Sequence, residues 1–524
     1  NIENVYHDLV GSSENYAPFP GICLTDTFEL GEQMYAKKKG LDRVKEIEGM
    51  ETPFVENSKR VQRQLDSPIT VIIGNPPYSA GQKSANDNAQ NQHYPLLEKE
   101  IEKYYVSNSK ASLNKSAYDS YIKAFRYATD RLDENGIVGF VSNGSWLDTN
   151  AFDGFRKSIE QEFAEIYVFN LRGNQRTSGE LSRREGGKIF GSGSRTPVSI
   201  TLLVKKPHEG KASIHYHDIG DYLSREQKLE IIRKSYSIAT LQMDTLHPNE
   251  HGDWINLRND SFSSFIPIEP EKKFNSGQKS FFLAQTCGVA TSRDSWCYNY
   301  DKSTLVNNIN KSILFYNSEV DRVNGNNSTE LIMDDTQFSW DRQNKKDVVN
   351  GKRYVYNNEN VRIATYRPFA KQWLYFNRQL NNCVYQVPQM YPNSDSNNLL
   401  ICITSAGTKR EMSLLAINNI PDYHLSGDTQ CFPLYWYEEN KSTQGNLFDD
   451  GQNKYIRHDA VTDFILKRAQ EQYGPKVTKE DIFYYVYGFL HCPAYRETFA
   501  NDLKKMLPRL PLVEKAEDFW AFSR

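Results

Sequence analysis

Apolar residues recur over the first 210 positions in two alternating rhythms. Short apolar-rich runs have strand length: Ile22-Cys23-Leu24, Val71-Ile72-Ile73, Ile137-Val138-Gly139-Phe140-Val141, Ile166-Tyr167-Val168-Phe169 and Ser199-Ile200-Thr201-Leu202-Leu203-Val204. Between them the spacing becomes helical. Tyr118, Tyr121, Phe125, Ala128 and Leu132 form one stripe, which Asn135-Gly136 stops, and Phe152, Phe155, Ile159 and Phe163 form another. Alternation of this kind predicts a doubly wound α/β sheet, whose ligands bind at the carboxyl ends of the strands. The residues just after each run are therefore the first candidates for chemistry.

The rhythm changes after residue 210. Residues 211–265 read as a connecting segment, with a strand, a charged helix around 226–232, and Gly252-Asp253-Trp254. Residues 266–435 are rich in Tyr, Asn, Thr and Trp, in short runs with frequent turns, and predict a mainly β or mixed α+β domain. Residues 439–453 read as a polar loop. From residue 459 onward the pattern is helical, and Thr478 with Asp481 reads as a capping box opening a helix through Leu490.

Composition narrows the classes. The chain has 524 residues, room for two to four domains at about 100–200 residues each. Apolar residues make up 38% and aromatics 13%, which excludes a disordered chain. No run approaches the roughly 18 apolar residues of a membrane span, and Asn1-Ile2-Glu3-Asn4 carries no secretory pattern. The 63 basic against 66 acidic residues leave a net charge of −3, so global charge neither requires nor excludes a polyanionic partner. Seven cysteines without a CxxC pair argue against a disulfide frame or zinc site and suit a reducing cytoplasm. His215 and His217 flank Tyr216 on one predicted strand face. Two ligands do not make a metal site, and none is expected.

The strongest chemical signal is Val71-Ile72-Ile73-Gly74-Asn75-Pro76-Pro77-Tyr78. An apolar strand runs into two prolines, which fix φ and cannot extend a ladder, so the turn is rigid. Such a turn holds the Asn75 amide oxygen and the Pro76 carbonyl as two preset acceptors for an exocyclic amine. Tyr78 adds a flat face on which a base can stack. Without that chemistry, the same residues would be a proline-rich turn after a buried strand.

This motif resembles the signature of amino-group methyltransferases, mainly N6-adenine DNA methyltransferases, and the order of parts resembles their gamma class. The resemblance implies a Rossmann-like methyltransferase sheet followed by an α+β target-recognition domain. It implies S-adenosylmethionine as methyl donor, with no metal for methyl transfer. Gly21-Ile22-Cys23-Leu24-Thr25-Asp26-Thr27-Phe28 is similar to the strand whose terminal acid contacts the cofactor's adenine. It implies cofactor binding by Asp26, Thr27 and Phe28. Residues 139–147 resemble the next strand and turn of the family. Lys188-Ile189-Phe190, followed by the run through Val204, resembles the motif whose Phe packs on the extruded base, so Phe190 is expected opposite Tyr78.

Asn75-Pro76-Pro77-Tyr78-Ser79, the loop Asn170-Leu171-Arg172-Gly173-Asn174-Gln175-Arg176, Gly288-Val289-Ala290-Thr291-Ser292-Arg293-Asp294 and Tyr485-Val486-Tyr487-Gly488-Phe489-Leu490-His491 resemble the C-terminal half of Type ISP restriction–modification enzymes. These are single polypeptides with nuclease, helicase-like motor, methyltransferase and target-recognition regions. The division implied is 1–210 catalytic, 211–265 connecting, 266–435 DNA target recognition and 436–524 its helical C-terminal part. The family's Gly-x-Gly turn and ribose-binding acid are not found before Asp26, and Gly191-Ser192-Gly193 follows the catalytic motif. No phosphate loop or nuclease constellation is found either. The expectation is a C-terminal piece that lacks two central strands, with the nuclease and motor regions upstream.

Double-stranded DNA is the expected partner, and no membrane is expected. Arg172, Arg176, Arg183, Arg184 and Lys188 crowd the loop before Phe190 and suit phosphates beside a flipped nucleotide. Residues 341–410 carry eleven basic against four acidic residues, with nine aromatics interleaved. Arg362, Arg367, Lys371 and Arg378 there, with Arg293 before and Lys409-Arg410 after, read as DNA contacts, while the aromatics read as core. The polar loop 79–92 reads either as a cover over the flipped base or as a solvated insertion. The rival functions are a specificity module without methyl transfer and a methyltransferase acting on RNA or a protein amide.

Overall fold

The computed structural model describes the chain except residues 1, 13–14, 18, 41–54, 79–92, 112–114, 178, 192–193, 276, 327–329, 409–410 and 441–453. The 79–92 and 441–453 segments, and Lys409 and Arg410, therefore lie outside the described residues. The chain divides into two units, Asn1–Leu257 and Arg258–Arg524. The division falls inside the 211–265 segment. Among the described residues no helix is long and apolar enough to cross a membrane.

The first unit is built on a six-stranded sheet: β1 (Val71–Gly74), β2 (Gly136–Asn143), β3 (Glu165–Arg172), β4 (Val198–Lys205), β5 (Ser213–Asp218) and β6 (Asp244–Leu246), in the order β1-β2-β4-β3-β5-β6. β1 runs parallel to β2 and β3 to β5, while β4 enters antiparallel between β2 and β3. Residues 213–246 thus extend the same sheet. The predicted stripes face inward. Tyr121, Phe125 and Ala128 of the helix Ser120–Arg131 and Phe155 and Ile159 of Asp153–Glu162 are buried with Val138, Phe140 and Ile166. Arg126 is buried on the same helix. Two acids answer its charge, Asp130 one turn on and Glu162, as a buried cation requires.

One predicted strand is absent. Residues 22–26 join no ladder, and Leu24 is exposed. A strand needs a partner backbone. Here the Asn57 side chain takes that place, accepting from the Leu24 N–H at 2.7 Å and donating to its carbonyl at 2.8 Å. The segment then turns into the helix Thr27–Lys38 at Asp26. Among the described residues β1 pairs with β2 alone, and Ile73 on it is 82% exposed.

The second unit holds two four-stranded sheets. One contains Ile420–Pro421, Val361–Arg367, Ala370–Tyr375 and Tyr298–Asn299; the other contains Leu414–Ile417, Leu400–Thr404, Thr429–Pro433 and Thr286–Cys287. Leu400–Thr404 is buried along its whole length, as its unbroken apolar run requires. The 25-residue helix Lys302–Asn326 packs Leu305, Ile309, Ile313 and Tyr316 into the same core. The helix Lys479–Leu490 opens with the reciprocal cap of Thr478 and Asp481, as its sequence predicts.

Candidate active site

β1 ends at Gly74, where an added Cβ would lie 3.0 Å from the Phe140 ring. Asn75 follows, exposed; Pro76 is buried and Tyr78 half-buried. The Tyr78 hydroxyl donates to the Val141 carbonyl of β2 at 3.1 Å, which ties the far end of the turn to the neighbouring strand. Burial pushes the Tyr78 hydroxyl above the usual tyrosine range, so it stays a neutral donor. Its ring meets Phe190, with centroids 5.6 Å apart and planes at 51°. Phe190 reaches this position because its approach is clamped. The Gly187 N–H donates to the Leu223 carbonyl at 2.8 Å, and Arg225 Nε donates to the Ile189 carbonyl at 2.9 Å. Gly186 must lack a side chain, since a Cβ there would lie 2.2 Å from the Leu223 oxygen and its φ is +67°.

Asp26 is the N-cap of the helix Thr27–Lys38. Its Oδ1 accepts the N–H groups of Phe28 at 2.9 Å and Glu29 at 3.3 Å. Its Oδ2 accepts the hydroxyl of Tyr94 at 2.7 Å, and the Tyr94 ring meets Phe28 edge-on at 5.3 Å. Tyr94 has no periodic or motif signal in the sequence. Its only sequence cue is its place just before Pro95, which opens the helix Pro95–Ile101. Glu32 accepts the N–H groups of Leu96 and Leu97, each at 2.7 Å, and so docks that helix on the one Asp26 caps. An ionised carboxylate has about four lone-pair sites. Three are taken here, which fits one further donor such as an adenine amine, with the Phe28 ring beside it. Thr27 is exposed at the first helical position.

The arginine loop has internal partners. Arg172 sits at a bulge with φ +55°, and its guanidinium pairs with Asp218 at 2.7 Å and with Asp221. Arg184 pairs with the same Asp221 at 3.0 Å, and Arg183 with Glu180 at 3.4 Å. Arg176 is exposed. Both ends of the loop are pinned by Lys228, fully buried, whose ammonium donates to the Leu171 carbonyl at 3.0 Å and the Glu185 carbonyl at 2.7 Å. His215 stacks on Tyr167 at 4.6 Å and His217 meets Phe169 at 4.9 Å. Among the described residues no group of three His, Cys, Asp or Glu side chains gathers as a metal site would.

In the second unit the cations separate into two kinds. Arg293 is buried and donates to the Leu380 carbonyl at 2.7 Å and to Asp341 and Asn344, each at 2.6 Å. Arg362 is half-buried and donates to the Asn393 carbonyl. Arg367 pairs with Asp422 at 2.6 Å and lies over the Tyr366 ring at 3.9 Å. Lys371 and Arg378 are exposed. The aromatics divide too. Tyr366, Trp373, Tyr375 and Phe376 pack on the core, as expected, but Phe369 is 90% exposed.

Residues 24–175 match the Eco57I restriction-modification methylase, and residues 280–524 match the Type ISP C-terminal specificity domain. Among solved structures, a nuclease-deletion mutant of the Type ISP enzyme LlaGI, in complex with a DNA substrate mimic, is 38% identical over the whole of this chain, with a TM-score of 0.81. The chain belongs to the Type ISP restriction–modification family. Its fold is matched at a TM-score of 0.82 by the ATP-dependent Type ISP enzyme LlaBIII bound to DNA, 33% identical. DrdV in its DNA complex, 31% identical, matches it at 0.81. This Type ISP chain spans 45%, 33% and 48% of those three solved chains, respectively. No curated protein matches it. The methylase match contains Asn75–Tyr78 and Asp26, and the specificity match contains Arg293 through Arg378.

Proposed function

We propose that this chain methylates adenine at N6 within specific sites of double-stranded DNA, by base flipping, as the modification and recognition portion of a single-polypeptide restriction–modification enzyme. The observation that carries this reading is the rigid Asn75-Pro76-Pro77-Tyr78 turn at the carboxyl end of β1, with Phe190 against Tyr78. S-adenosylmethionine, when bound, supplies a methyl group on a positively charged sulfur. The Asn75 amide oxygen and the Pro76 carbonyl accept the two N–H bonds of N6. That draws the nitrogen lone pair out of conjugation with the ring. Both acceptors are held before the base arrives, so their contribution is orientation and electrostatics. Tyr78 and Phe190 stack on the flipped base and offset the energy of unstacking it from the duplex. Asp26, fixed by its cap and by Tyr94, holds the cofactor's adenine beside Phe28.

DNA contact falls to the exposed cations Arg176, Lys371 and Arg378, with Arg183 and Arg184 as weaker candidates because acids already face them. The LlaGI, LlaBIII and DrdV structures contain DNA or its mimic, which supports the same partner here. The open edge of β1 suits pairing with further strands of the methyltransferase sheet. Nuclease and motor regions upstream, in a cytoplasmic enzyme, complete the proposal. The test is methyl transfer from radiolabelled cofactor to adenine-containing duplexes by wild type and Asn75→Ala. Wild type should label adenine; the variant should lose labelling yet keep duplex affinity. Equal losses of affinity and labelling would remove Asn75 from its role. Binding without labelling by wild type would leave a specificity module, and label on RNA or a protein amide would change the substrate.

A further inference from the structure

Strands Val361–Arg367 and Ala370–Tyr375 form a hairpin whose turn is Pro368-Phe369. Phe369 has φ +63°, a left-handed conformation that a side chain resists and that glycine adopts freely. Its ring is nevertheless 90% exposed, so the strain gains no burial. The turn beneath it is firmly built. Pairing passes from Thr365–Lys371 to Arg367–Ala370, so a bulge falls at Tyr366. The Tyr366 ring packs on Tyr298 at 4.7 Å and its hydroxyl donates to Asp294 at 3.1 Å. Arg367 covers that ring and is anchored on Asp422. A bulge re-aims the residues that follow it. A rigid base that presents a strained, solvated aromatic ring breaks a local rule without benefit to the fold, as functional sites do.

We propose that Phe369 is a DNA wedge, inserted from a groove against the face of a base pair at a step that the enzyme deforms. Apolar wedges of this type unstack a step and kink the duplex. The neighbours of Phe369 favour DNA over a protein partner. A protein-binding patch surrounds its anchor with apolar surface. Here the exposed Lys371 follows two residues after the ring in the same hairpin, and a cation suits the phosphate beside a step. The proposal rests on the reading that this unit binds double-stranded DNA.

The test uses the full-length enzyme and a duplex carrying its own methylated site, located by sequencing DNA that it has modified. 2-Aminopurine is placed at successive positions through that duplex. Wild type should brighten the probe at a step distinct from the flipped adenine. Phe369→Gly relieves the backbone strain and should leave Tm equal or higher, so a folding defect is separated from a binding defect. Its affinity should fall roughly 5- to 160-fold, the about 1–3 kcal/mol of one base–aromatic stack, and the distinct bright step should vanish. Phe369→Trp should keep both. Unchanged affinity and an unchanged bright step in Phe369→Gly, with methylation intact in wild type, overturn the wedge alone. Failure of wild type to bind any duplex overturns the DNA reading together with it.

Discussion

The rings of Tyr78 and Phe190 meet at a tilt, at 5.6 Å between centroids and 51° between planes. A base between two rings needs each face about 3.5 Å away, hence planes roughly 7 Å apart and near parallel. Loading a base between them, as proposed, would therefore separate the Tyr78–Phe190 pair as well as break the duplex stack. Tyr78→Ala should weaken binding to a normal duplex more than to one mismatched at the target adenine, because a mismatched base is easier to extrude. Anisotropy titrations on both duplexes check this, and equal losses would remove stacking from the role of Tyr78.

Tyr94 holds the outer oxygen of Asp26. A hydrogen bond to a charged group contributes about 1.5–3 kcal/mol, which sets the ceiling on what Tyr94→Phe can lose. Calorimetry with S-adenosylmethionine on the full-length enzyme should show Tyr94→Phe weakened within that limit and Asp26→Ala weakened further. A loss in Asp26→Ala alone would reduce Tyr94 to a packing residue, and no loss in either would move the cofactor's adenine elsewhere.

Arg293 and the pair Lys371 and Arg378 should respond oppositely. Arg293→Ala leaves Asp341 and Asn344 without their buried partner and should destabilise the fold by about 3–5 kcal/mol. Lys371→Ala and Arg378→Ala should leave Tm unchanged. Each should lower the slope of log affinity against log salt by about one unit if it meets a phosphate. Thermal melts and salt titrations of the same proteins check both, and an unchanged slope in the double variant would shift the DNA surface elsewhere.

Lys228 should make stability depend on pH in the alkaline range. Burial pushes its ammonium down to about 8, although Glu185 opposes this; Arg172 lowers it further and Asp218 raises it. The unfolded chain keeps the proton up to the ordinary lysine range near 10.4. Between these values the unfolded state binds more protons, so this residue's contribution to stability rises with pH. Below about pH 8 both states are charged and the slope disappears. Subtracting melts of Lys228→Met from those of wild type between pH 7 and about 10.5 should give a difference that grows with pH. A flat difference would mean that the ammonium is solvated.

The sequence by itself determined the strands β1 to β4, the helices between them, the capped helix at Thr478 and the proline turn at Asn75–Tyr78. Each depends on near neighbours in the chain: an apolar run, a 3.6-residue stripe, a cap three residues away, two prolines that fix φ. Long-range partners were not legible in it. Ile22-Cys23-Leu24 has the composition of a strand, but a strand exists only beside another backbone, and Asn57 stands there instead. Arg172, Arg184 and Arg293 look alike in sequence to Lys371 and Arg378. Only tertiary structure brings Asp218, Asp221 and Asp341 onto the first three and leaves the other two in water. Phe369 reads as core among its aromatic neighbours until the bulge at Tyr366 and a left-handed φ turn it outward. Charge and aromaticity are properties of a residue; burial and partnership are properties of the fold, and these decided which cations and which rings remain available to a ligand.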